Sequence, residues 1–333
     1  MPDAAILLPL IPVLFLVLAA EFVNGWTDSP NAIATVVSTR VLSPGQAVLM
    51  AAVLNIVGAL VTGTAVATTI GTGIVKPEVI GLPVVAAATL TVVVWSTVAW
   101  FYGIPTSESH ELIAGLTGAG LAVAGPSVLL WEGWRKVLIG LGFSTLLGFT
   151  LSILVMTALN WGLRRASLSV SRKVFSRLEI LSAAFLAFTH GSNDGQKFMG
   201  VFALTLVLGG VMTQFTVDRW VILLCGSVMG LGTAIGGWRI IRTMGYKLTK
   251  LEPVHGFAAQ TASGTAILLA STLGIPLSTT HCISTAIMGV GATRRFSAVR
   301  WGVAGNIVTA WILTFPVCGV LGYLFTWLFK LIF

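Results

Sequence analysis

Six apolar runs, residues 4–23, 47–70, 79–100, 137–159, 221–236 and 303–329, decide what this chain can fold into. Several reach or exceed the roughly 20 residues that an α-helix needs to cross the hydrocarbon of a bilayer. Backbone in lipid has no water to bond, so it must be helical or close into a barrel, and no alternating pattern of barrel strands is present. Only 9% of the 333 residues are charged and 56% are hydrophobic, too little charge to coat a water-soluble domain of this length. The expected fold class is an all-α polytopic membrane protein. The first run lacks a basic flank and leads into the polar residues 24–31 rather than a small-residue cleavage site, so it reads as a first span, not a signal peptide. Cys225, Cys282 and Cys318 have neither metal-ligand nor disulfide spacing and are expected in the core.

The formal net charge is +8, and its distribution points away from nucleic acid. Thirteen of the 19 Lys and Arg fall on one side if Arg40 and the segments 164–177, 239–250 and 294–300 share it. An excess of basic loops marks the cytoplasmic side, where anionic lipid headgroups are their natural partners. Followed along the chain, this assignment places both termini outside. Each half then crosses an odd number of times, so residues 1–163 and 178–333 form two repeats of opposite topology joined by a basic cytoplasmic linker, 164–177. Within each repeat, one pair of segments is either two full spans or a re-entrant hairpin.

Sequence landmarks recur in the same order. GWTDSPN (25–31) precedes GIPTSESH (103–110), and GSNDGQK (191–197) precedes GIPLSTTH (274–281). Inverted repeats of this kind are characteristic of secondary transporters, which bind substrate and coupling ions near the bilayer midplane. Asp28 and Asp194 each lie inside an apolar span, where a carboxylate is costly and functional by default, although an interior Asp can also serve helix packing alone. Their Gly, Pro and Asn neighbours predict a broken helix at both places, with unpaired carbonyls that, together with Thr27, Asn31 and Asn193, would form a hard-oxygen cage for an alkali cation such as sodium.

The octapeptides carry the opposite chemistry. Their prolines suit a first helical turn, which would set the hydroxyls of Ser107, Ser109, Ser278, Thr279 and Thr280 beside the free N–H groups of two helix N-termini. Two such termini would enclose a small tetrahedral oxyanion. Glu108 and the two aspartates repel a bare anion, so cations must accompany it: sodium held by the aspartates, or protons that neutralise them. A carboxylate such as Glu108 would also accept the proton of hydrogen phosphate, which sulfate lacks. His110 and His281 are expected as neutral imidazoles bonded to nearby backbone.

These residues resemble the inorganic phosphate transporter (PiT) family of sodium- or proton-coupled symporters. The resemblance rests on HGSND (190–194), GIPLSTTH followed by Cys282, and residues 294–319, and it covers essentially the whole chain. It implies an inverted-repeat helical fold, inorganic phosphate as the usual substrate, sodium as co-transported ion and a homodimer. Three positions depart from the pattern. Thr27 stands where the family usually shows Asn, Gln260 where it often has Glu, and Lys197 where the other half has Asn31. The lysine could contact phosphate, neutralise Asp194 or extend away from the site. Sodium-driven phosphate import is thus the leading reading, with a proton-coupled phosphate or sulfate permease as the alternative. An anion channel would need a continuous polar pore, and an enzyme would need a metal, phosphate-loop or triad motif that the sequence lacks.

Overall fold

The computed structural model describes residues 4–332; the termini expected on the side opposite the cytoplasm, residues 1–3 and 333, fall beyond the described residues. The first half contains α1 (Ala4–Thr27), α2 (Pro30–Ser38), α3 (Pro44–Val61), α4 (Ala65–Thr72), α5 (Leu82–Tyr102), α6 (Glu108–Ala124) and α7 (Trp131–Leu163). The second contains α8 (Leu168–Leu208), α9 (Arg219–Ile235), α10 (Trp238–Arg242) running into a π-helical turn (Thr243–Lys247), α11 (Pro253–Thr272), α12 (Thr279–Arg294) and α13 (Trp301–Lys330). Among the described residues, five helical segments are long and apolar enough to cross a bilayer, Leu8–Ser38, Pro44–Val61, Leu82–Tyr102, Trp131–Leu163 and Trp301–Lys330, and the pair Arg219–Ile235 and Trp238–Lys247, bent by 59°, makes a sixth if it is one span. Outward-facing side chains such as Leu146 (66% exposed) and Ile312 (67%) match a hydrocarbon solvent.

Local chemistry explains the breaks. Asp28 and Ser29 form a turn between α1 and α2, and Pro30 opens α2, where its missing N–H costs nothing but its ring prevents α1 from continuing. The apolar run 47–70 is not one span but two helices, α3 and α4, because the chain turns at Gly63 with φ of +80°, in the left-handed region that glycine tolerates. Gly103 and Gly274, with φ of +67° and +65°, end α5 and α11 in the same way. The prolines that follow lie outside the helices rather than in their first turns. The N-cap residues Ser107 and Ser278 are extended, with ψ of 108° and 106°, so α6 and α12 begin only after them.

A second correction concerns residues 190–197, where a break matching that of α1–α2 was expected. Helix α8 instead runs unbroken from Leu168 to Leu208. No proline interrupts it, and its glycines serve close packing. A Cβ on Gly191 would collide with the backbone of Asn55, and one on Gly58 with the backbone of Phe188, so α3 and α8 touch main chain to main chain. Gly25 and Gly232 do the same for α1 and α9, abutting Met229 and Phe22.

Two hydrophobic clusters form the interior. One gathers residues such as Ile33, Leu186, Ile267 and Ile283; the other gathers Val17, Val85, Leu112 and Phe202. The chain passes from one cluster to the other between Ala20 and Ala32, and again between Ala187 and Phe198. Both aspartate motifs lie at these crossings.

Candidate functional site

Asp28 occupies the α1–α2 turn, and Asp194 lies midway along α8; both are buried. Helix α12 brings its first two residues to them. The Thr280 hydroxyl donates to Asp28 Oδ1, and Asn31 Nδ2 donates to the same oxygen at 2.6 Å and to Thr280 Oγ1 at 3.1 Å. Thr279 Oγ1 lies 3.1 Å from Asp28 Oδ2 and 3.2 Å from Asp194 Oδ2. A hydroxyl carries one hydrogen and can donate to only one of these carboxylates at a time.

The third group here is His190, one turn before Asp194 on α8. Its Nε2 lies 3.6 Å from Asp194 Oδ2 and 3.9 Å from Asp28 Oδ2. Its Nδ1 is 3.2 Å from Asn55 Oδ1, while the Asn55 amide nitrogen donates to Ser29 Oγ at 2.9 Å and to Thr233 Oγ1 at 3.2 Å. That pattern turns the Asn55 oxygen toward the imidazole, so Nδ1 carries a hydrogen and donates to it, which leaves Nε2 facing the aspartates. Ligand atoms of Asp28, His190 and Asp194 all lie within 4.8 Å of one another. At that separation and an effective dielectric of about 20, two carboxylates repel by roughly 3–4 kcal/mol. Positive charge between them would offset that repulsion.

Lys197 supplies some of it. Its Nζ stands 2.7 Å from Asp194 Oδ1, and the side chain is wholly buried, so of the three expected roles the structure shows it paired with the aspartate and not extending outward. Beside the cluster, the Thr27 hydroxyl contacts Glu108 Oε1 and the Val23 carbonyl (2.8 Å), while Glu108 Oε2 has no hydrogen-bond partner. Asn31 Oδ1 is likewise buried without a partner. These acceptors are unsatisfied within the chain, an arrangement that favours a cation or a protonated ligand.

The remaining expected residues lie at the helix tips. Ser107 and Ser278 are the N-caps of α6 and α12. Ser278 Oγ accepts from His281 N at 3.1 Å, whereas the Ser107 hydroxyl is buried without a partner. Ser109 Oγ donates to the Leu277 carbonyl at 3.3 Å, so the two tips meet. Asn193 turns to Ser271 on α11, at 2.9 Å, rather than to either carboxylate. Gln260 donates to Thr35 Oγ1 at 2.5 Å and accepts from Ser182 Oγ at 2.6 Å. The expected backbone bonds of His110 and His281 are not made: all four ring nitrogens lack partners. His281 stacks on Trp311 with centroids 3.7 Å apart, and His110 packs 4.8 Å from both His281 and Phe315. Aromatic rings pack against the two imidazoles instead.

His190 and Asn55 received no role from the sequence. His190 and Asp194 are four residues apart, the spacing that puts two side chains on one helix face, and a continuous α8 makes that signal legible.

The profile of the phosphate transporter family matches residues 24–322. The chain is 44% identical to a Rhizobium meliloti protein named "Probable low-affinity inorganic phosphate transporter", over 97% of each chain. A Bacillus subtilis protein of the same name is 40% identical over 95% of this chain and 96% of its own. A solved structure described as "The sodium-dependent phosphate transporter" superposes with a TM-score of 0.89 at 26% identity, covering 98% of this chain and 100% of the other.

Proposed function

The chain belongs to the phosphate transporter family, and from that premise we propose that it imports inorganic phosphate by symport with sodium, the two halves exposing one central site to each side of the cell membrane in turn. The observation that carries this reading is the Thr279 hydroxyl between two carboxylates with a single hydrogen to give. A sodium ion among Asp28, Asp194 and Thr279 supplies the missing positive charge through hard oxygen ligands. Phosphate docks at the tips of α6 and α12, where Ser107, Ser109, Ser278, Thr279 and Thr280 meet two helix N-termini. Loading is mutual: without sodium the carboxylates repel the anion, and without the anion the cations lose bridging oxygens. Glu108 Oε2, buried and unpaired, accepts the hydrogen of hydrogen phosphate and so disfavours sulfate.

The reading of two inverted repeats is supported by packing that runs both ways between the halves. Helix α1 lies on α9 as α3 lies on α8, and α6 lies on α13 as α12 lies on α7. With 13 of 19 basic side chains on the cytoplasmic face, the linker 164–177 lies against anionic lipid and the termini face outward. Alternating access has matching contacts to work on. Thr69 Oγ1 on α4 donates to the Gly274 carbonyl at 2.9 Å, and Thr243 Oγ1 after α10 donates to the Gly103 carbonyl at 2.6 Å. Each clamp holds the approach to one octapeptide, and breaking one while keeping the other opens one side. The homodimer implied by the family resemblance completes the proposal.

A proton-coupled variant is favoured by one observation, His190 Nε2 lying 3.6 and 3.9 Å from the two aspartates, where a proton between them would offset the carboxylate charge as a metal ion would. Radiolabelled phosphate uptake into proteoliposomes separates the two. The expected result is accumulation driven by an inward sodium gradient and unaffected by excess sulfate. Uptake that ignores sodium and follows an inward proton gradient refutes the sodium assignment.

A further inference from the structure

The halves differ three residues beyond each aspartate, where one has Asn31 and the other Lys197. Asn31 Nδ2 reaches Asp28 Oδ1 at 2.6 Å, and Lys197 Nζ reaches Asp194 Oδ1 at 2.7 Å. The positions are equivalent and the partners are the same, but one donor is neutral and the other charged. We infer that Lys197 is a fixed, non-transported cation that replaces one coupling ion, so each phosphate travels with one cation fewer than an asparagine at this position would require.

This inference rests on the symport reading and refines it. Lys197 has 0% of its side chain exposed and is among the largest fully buried side chains of the protein. An ammonium this deep in the protein is retained only against a paired anion, and Asp194 is that anion. The hydrogen bonds that Asp28 accepts come from neutral donors, the Asn31 amide and the hydroxyls of Thr279 and Thr280, with His190 Nε2 3.9 Å away and no lysine three residues on. Its charge therefore needs a cation from solution, which leaves with the substrate, while the lysine returns with the empty carrier. The two carboxylates share Thr279 and face His190 together, so adding or removing one unit of tethered charge alters how many mobile ions the site demands.

The test measures charge moved per phosphate, from the membrane potential that just stops net phosphate flux in proteoliposomes of the full chain. Lys197→Asn, which copies the other half, is expected to move one elementary charge more per phosphate than the unaltered protein; Lys197→Arg, which keeps the charge, is expected to match it. If Lys197→Asn reconstitutes poorly, thermal unfolding in detergent gives a second readout. Replacing choline with sodium should raise the melting temperature of Lys197→Asn and Lys197→Gln more than that of the unaltered protein, and Asp194→Asn added to Lys197→Asn should remove the increase. An unchanged charge ratio in Lys197→Asn, or a sodium response no larger than that of the unaltered protein, overturns the inference. Loss of all gradient-driven uptake in the unaltered protein would instead overturn the symport reading beneath it.

Discussion

Replacing Thr279 by Val isolates the hydroxyl on which the cation site turns. Valine keeps the β-branched shape and volume at the start of α12, so the perturbation is loss of one O–H from between Asp28 Oδ2 and Asp194 Oδ2, at 3.1 and 3.2 Å. A hydrogen bond to a charged group contributes about 1.5–3 kcal/mol net, and each 1.4 kcal/mol is about tenfold in affinity. The hydroxyl oxygen is also one of the ligands through which sodium would contact both aspartates. Half-saturation of phosphate uptake by sodium should therefore rise by roughly 10- to 150-fold in Thr279→Val. Maximal uptake at saturating sodium should fall less, because Thr280 and Asn31 still hold Asp28. The assay is a sodium titration of initial uptake in proteoliposomes, with a melting curve in detergent to verify folding. A folded variant whose sodium dependence stays within about twofold of the unaltered protein would refute the assignment of this hydroxyl to the cation site.

Other variants probe the scaffold and the substrate side. Gly191→Ala forces a methyl into the backbone of Asn55, which cannot move aside, and should cost about 1–3 kcal/mol; an unchanged unfolding midpoint in detergent would contradict the α3–α8 contact. Glu108→Gln should let sulfate compete for uptake by roughly 10- to 100-fold more than in the unaltered protein, since the acceptor for the phosphate proton then carries an amide; equal competition in both proteins would remove Glu108 from selectivity. Arg239→Ala removes contacts to the Phe101 carbonyl and to the rings of Trp100 and Phe101, at 5.0 and 4.7 Å, beside the Thr243 clamp. It should speed labelling of a cysteine placed at Thr106 by a membrane-impermeant maleimide from the cytoplasmic side, and labelling rates that do not change would argue against a gate there.

Much of the candidate cluster was legible because the membrane makes polar residues conspicuous. Asp28 and Asp194 stood out as carboxylates in apolar runs, and the octapeptides as polar knots, before any geometry was known. The helix break at Asp28 followed from Pro30, whereas the matching break at Asp194 did not occur, because the glycines of α8 answer to a neighbouring backbone that sequence order does not reveal. The same uncertainty hid His190, since its relation to Asp194 depends on an intact helix between them. Three-dimensional contacts also redirected Asn193 toward Ser271 and turned His110 and His281 into parts of an aromatic stack. Residue type announced which side chains were costly to bury; only packing decided which of them met.

Mutual dependence of cation and anion can be measured without transport, by titrating phosphate into the purified full chain in a calorimeter, once in sodium and once in choline at equal ionic strength. Saturable phosphate heat in sodium and none in choline is the expected result. Equal phosphate binding in both solutions would show that the carboxylate cluster does not need a sodium ion to admit the anion.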